Sequence, residues 1–162
     1  MTNFLEEGKR VEQSFAKDWL LNPIFATKEE DMREHWDVKG LLDWLEDGVL
    51  KFDVKGMKKI NRQDSEAQST YTWIEGKNVL GKDGWIKGGA DYIAFERLDR
   101  WIVAKRTELL ALVQKKCKEN EFKEGKGVYE IYQRQDRLDK LTLVPFTHII
   151  ALESTWCLPK CS

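Results

Sequence analysis

The chain has no apolar run near the roughly 18 residues of a membrane-spanning helix. Glu6 and Glu7, close to its start, break the basic-then-apolar order of a secretory leader. A cytoplasmic protein is expected, or one of the host-cell cytoplasm if the source is a virus, with no membrane partner. Its three cysteines, Cys117, Cys157 and Cys161, are an odd number that does not suggest a secreted disulfide framework. The four-residue spacing of the last two lacks the further ligands of a zinc site, so reduced thiols are expected. No Pro-, Gly- or Ser-rich linker, internal repeat or low-complexity tract divides the 162 residues, so a single domain over 1–162 is expected. Charge of one sign is missing as well. With 27 Lys and Arg against 28 Asp and Glu, the whole molecule carries no electrostatic signature of nucleic-acid binding, and any anionic partner must meet a local patch. The glycine-punctuated segment 81–89 has no Gly-Lys-Ser/Thr ending, which sets a phosphate loop aside in favour of a turn.

What is present is enough apolar material for a core: 41% hydrophobic and 11% aromatic residues, seven of them Trp, exclude a disordered chain. Phe4, Val11, Phe15 and Trp19 recur on one stripe, predicting a helix over 3–21 that Asn22-Pro23 ends. Gly8 lies on the stripe, where it would allow close approach to a sheet, and Glu12 lies beside it, facing the edge of whatever the helix covers. Thr27 and Glu30 have capping-box spacing and predict a short helix through about residue 34. Trp36 and Val38 alternate with His35, Asp37 and Lys39, predicting a half-buried strand over 35–39. Segment 40–48 fits either a strand extension with a turn or a helical insertion. Asp47-Gly48 is a hairpin signal that makes the strand before it antiparallel to the one after.

Strands are predicted over 50–56, 70–75, 90–95 and 101–104, a helix over 106–118, and a late pair of strands over 128–133 and 138–144. Pro145 then opens a short segment in which His148 is expected to be structural. Trp85 is expected to pack in a core or turn rather than stack on a base.

The strand over 50–56 carries the chemistry. Leu50, Phe52 and Val54 point one way and Lys51, Asp53 and Lys55 the other, so a carboxylate and an ammonium stand roughly 7 Å apart along one face. Phosphodiester hydrolysis needs a hydroxide, a Lewis acid and positive charge on the phosphoryl group; one divalent ion on carboxylates plus a lysine supplies all three. Magnesium takes few ligands from protein, so two or three carboxylates suffice. Asp37 on the neighbouring strand, Asp53 and Lys55, with Glu12 on the covering helix, form such a set, and Glu75 is a further candidate. From Lys51 to Arg62 five basic residues meet the single acid Asp53. Lys58, Lys59 and Arg62 are the candidate phosphate contacts.

An acid at Asp37, the run Asp53-Val54-Lys55 in an apolar strand, and the preceding Gly8-Lys9-Arg10-Val11-Glu12 together resemble the PD-(D/E)XK nuclease superfamily. The short Gly-x-x-x-Glu helix resembles that of its Holliday-junction resolvases. The resemblance spans roughly residues 8 to 113, with Trp36 where proline is common. It implies an α/β, restriction-endonuclease-like core, a central mixed β-sheet flanked by helices, and a Mg2+-dependent (Mn2+ possible) endonuclease acting on DNA as a homodimer. On that pattern Asp37, Asp53 and the Val54 carbonyl would ligate the metal, Lys55 would orient or deprotonate water, and Glu12 would be an outer ligand. Asp43 or Asp47 could replace Asp37 as first acid. The rival reading is a nuclease-fold protein without catalysis, acting as a DNA-binding or protein-interaction module.

Overall fold

A computed structural model describes residues 4–58 and 70–161, and Lys59, Arg62 and the polar segment 63–69 lie outside them. The amphipathic stripe forms α1 (Phe4–Trp19), which buries Val11, Phe15 and Ala16. Instead of ending in a loop, the chain passes directly into β1 (Leu20–Phe25), an element that Asn22-Pro23 conceals in the sequence. Asn22 is left-handed, at φ 51°, and the register shifts between Leu21 and Ile24. Such a bulge at a sheet edge accommodates a proline that cannot donate to the ladder.

After α2 (Lys28–Glu34), β2 (Val38–Leu42) and β3 (Leu50–Lys55) pair antiparallel with Val38 opposite Phe52, as the hairpin signal required. Segment 40–48 resolves into the end of β2 followed by a loop. The strand expected from residue 35 begins three residues later because His35 is left-handed, at φ 55°. That turn defeats the alternation of Trp36 with Val38, which enter opposite cores.

β3 runs parallel to β5 (Tyr92–Glu96), and β5 is antiparallel to β6 (Arg100–Lys105). β6 pairs in turn with β9 (Trp156–Pro159), a strand too short and polar at its flanks to stand out in the sequence. The central six-stranded sheet has the order β1-β2-β3-β5-β6-β9. The fold is α/β with a mixed central sheet flanked by helices.

Both faces of this sheet are covered. On one, Phe15 of α1 meets the rings of Phe52 and Trp101 at 5.2 Å each. Gly8 is not part of that contact, since a Cβ there would meet nothing within 4 Å, so the close approach expected of it does not occur. On the other face Ile93, Phe95, Ile102 and Ala104 pack under α3 (Arg106–Glu119) and a 3-10 turn (Trp85–Lys87).

A second, three-stranded sheet completes that layer, in the order β4-β8-β7 from β4 (Tyr71–Lys77), β7 (Ile131–Gln133) and β8 (Lys140–Pro145). The late strand pair is thus present, though β7 is shorter than the predicted 128–133. Short helix α4 (Phe146–Ile150) follows, with His148 Nδ1 2.9 Å from the Tyr129 hydroxyl. Cys117, Cys157 and Cys161 are all free.

Candidate active site

Asp37 is fixed by its own backbone before its side chain does anything. Its N–H donates to the Phe52 carbonyl and its carbonyl accepts from the Ala26 N–H, both at 2.8 Å. This locks it beside the middle of β3. Its Oδ2 accepts from the Val54 N–H at 2.7 Å, so the contact seen for Val54 is through nitrogen.

Asp53 is 3% exposed, on the side of β3 opposite Phe52 and Val54. Its Oδ1 lies 3.1 Å from Lys55 Nζ, while its buried Oδ2 meets no N–H or ammonium donor and faces the Asp37 carboxyl. Lys55 Nζ also sits 4.5 Å from the centre of the Trp85 ring. Trp85 therefore packs as expected, in the core beneath the lysine and edge-on to Phe95.

Two elements bring further carboxyls. Glu12, half-buried at the edge of α1, and Asp31 of α2 each hydrogen-bond Asp37. α2 is held in place at both ends. Thr27 Oγ1 accepts from the Glu30 N–H and Glu30 Oε1 accepts from the Thr27 N–H, each at 3.1 Å. At the other end the left-handed His35 returns its N–H to the Asp31 carbonyl at 3.0 Å. Gly88 lets the 3-10 turn close on this corner, for a Cβ there would stand 2.6 Å from His35 Cβ.

Carboxylates this crowded cannot all stay ionised. Burial first, then the charge of Asp53, pushes Asp37 up to about 9, and the Val54 N–H and the added charge of Glu12 leave that outcome standing. A carboxyl so raised is protonated at neutral pH. Burial and the charge of Asp31 raise Glu12; burial and the charge of Asp53 raise Asp31. Burial works to lower Lys55, but Asp53 and Asp37 together outweigh it and hold the amine above its ordinary value as an ammonium. Glu75 is raised by burial against the pull of Lys55, with which it lines a common cavity.

Glu12, Asp37, Asp53 and Lys55 thus come together, and the first acid beside Asp53 is Asp37, while Asp43 and Asp47 lie exposed in the β2–β3 loop. Lys58 is exposed just beyond β3, and His35 caps α2 instead of sharing a strand face with Asp37. Asp31 escaped sequence reasoning because α2 buries none of its residues and offers no stripe to read. Only its place four residues after the Thr27 cap hinted that it would face back towards the sheet.

Among the described residues no three His, Cys, Asp or Glu side chains stand as a ready-made metal cage. Fold and cluster define an α/β protein with a buried acidic site closed by one lysine. Comparison with family models, curated proteins and solved structures finds no match.

Proposed function

We propose that this protein is a metal-dependent endonuclease of the PD-(D/E)XK type, hydrolysing phosphodiester bonds in DNA. The observation that supports it most is the buried pair Asp37 and Asp53, beside each other where β2 meets β3, with Lys55 3.1 Å from Asp53. Two buried carboxyls side by side repel each other once both are ionised, which is costly without a compensating positive charge. A divalent cation fits the pair by charge and by donor type.

Asp53 and Asp37 would hold Mg2+ or Mn2+, with Glu12 and Asp31 taking the outer hydrogen bonds. The bound ion would supply positive charge to the phosphoryl oxygens and acidify the attacking water. Asp37 must give up its proton before it can serve. Lys55, kept protonated, acts on this reading by its charge, stabilising the pentavalent phosphorus rather than deprotonating water. The protein is proposed to act in the cytoplasm and as a homodimer, which sedimentation at micromolar concentration tests.

The absence of a ready-made three-ligand cage among the described residues favours a second reading, a nuclease-like module that binds without cutting. Mg2+-dependent cleavage of plasmid, single-stranded and four-way-junction DNA separates the two. Asp53→Ala and Lys55→Ala are each expected to slow cleavage by roughly 100-fold or more, the scale for losing one transition-state contact. Cleavage surviving both substitutions removes the site assignment, and no cleavage of any substrate by the parent protein selects the binding module.

A further inference from the structure

Beyond Lys55 a cavity of about 280 Å³, lined by neither Asp37 nor Asp53 but with Glu75 and Glu96 in its wall, opens between the ends of β3 and β5 and the second sheet. Trp73 and Tyr71 of β4 line it together with Lys58, Arg97 and Arg134. Arg134 also borders a second, wider cavity of about 580 Å³, lined by Tyr132, Lys126, Arg137 and Lys140. The two are joined by a ring pair, since Trp73 of the first and Tyr132 of the second have centroids 5.5 Å apart. Lys126 Nζ lies 4.9 Å from the Tyr132 centroid. Among the described residues seven basic side chains and four acidic ones line the two cavities, in a chain whose net charge is −1. Glu96 is already matched by Arg10 and Lys160, as Lys55 is by Asp53 and Arg134 by Asp139, which leaves Lys58, Lys126, Arg137 and Lys140 among the cations that face the cavities.

Concave surfaces that alternate cations with half-exposed aromatic rings suit unstacked bases, whose flat faces need a platform and whose phosphates need charge. A duplex offers no exposed base faces to such rings. We propose that a single-stranded DNA tail runs from the carboxylate cluster past Lys55 into the first cavity. It continues over the Trp73–Tyr132 pair into the second. Arg134, anchored by the buried Asp139, stands between the two cavities and contacts the phosphate that bridges them. The track rests on the nuclease reading and assigns it a substrate class: duplex DNA bearing a single-stranded tail, cut near the junction of the two.

Binding is measured by fluorescence anisotropy in EDTA, where no cleavage occurs, for a blunt duplex, the same duplex with an oligo-dT tail, and the tail strand as RNA. Arg137→Ala/Lys140→Ala and Tyr132→Ala are compared with the parent protein, their folding checked by circular dichroism and melting. Arg137 and Lys140 are exposed, so the double variant is expected to fold. The tailed duplex should bind at least about 10-fold tighter than the blunt one. The double variant should make the log–log salt slope shallower by about 1.4, at roughly 0.7 per single-strand phosphate contact. Tyr132→Ala should weaken the tailed complex by about 5-fold or more.

Equal affinity for blunt and tailed duplex, preference for the RNA tail, or folded variants that bind like the parent would each overturn the track. Tail binding in EDTA with no cleavage in Mg2+ would instead sink the nuclease reading and leave the track standing. Cleavage without tail preference would do the reverse.

Discussion

Asp37 is the residue in which fold and chemistry conflict most directly. Its carboxyl is pushed up to about 9 by burial and by Asp53, against an ordinary value near 3.9. Over that window the folded protein holds a proton that the unfolded chain has released, so the contribution of this group to stability falls as pH rises from about 4 to 9. The neutral variant Asp37→Asn escapes the penalty. In metal-free buffer it should melt a few degrees above the parent protein at pH 8, since about 1 kcal/mol moves Tm by roughly 2–4 °C in a domain of this size. At pH 5 the two should nearly coincide, and thermal melts with the same pH slope for both proteins would show that Asp37 is not so raised. If the proposed nuclease activity holds, the same substitution should abolish it, an exchange of stability for activity.

Among the elements, α2 and the 3-10 turn decide the site although neither contributes to the central sheet. Removing the capping box by Thr27→Ala should cost about 1 kcal/mol and loosen Asp31 with the helix that carries it. Gly88→Ala forces a Cβ against His35 and should lower Tm more than the cap variant, because the turn and the end of α2 cannot both stay in place. Gly8→Ala is the opposing control. Its site in α1 is open, so the substitution should stabilise the helix by roughly 0.5–1 kcal/mol, readable as a higher urea midpoint. A loss of stability on Gly8→Ala would restore the close approach that the stripe in α1 suggests.

At the scale of the whole molecule, net charge near zero and a locally basic pair of cavities make opposite predictions about DNA. A net charge of −1 gives no long-range attraction to a polyanion, so the proposed affinity for DNA would have to come from the few contacts the cavities offer. Three to four phosphate contacts on a single strand correspond to a log–log salt slope of roughly −2 to −3. A titration from 50 to 200 mM salt reads that slope, and a value near zero would remove electrostatic binding of DNA altogether.

Much of this was already present in the order of residues. The period-2 run at 50–55 fixed which face of β3 holds Asp53 and Lys55, the Asp47-Gly48 turn fixed its antiparallel neighbour, and the Thr27–Glu30 spacing fixed α2, because these depend on contacts between near neighbours in the chain. Long-range packing decided the rest. Whether Asp37, Asp43 or Asp47 meets Asp53 depended on the left-handed turn at His35, and Asp31 joined the cluster through the docking of a helix with no buried face. The sign of the shift at Lys55 required knowing that two carboxylates outweigh its burial. Within the second sheet the β7–β8 pair is local and was legible, but the cavities beside Lys55 need β4 to join it, through a β4–β8 pairing of residues some seventy apart that no local pattern encodes.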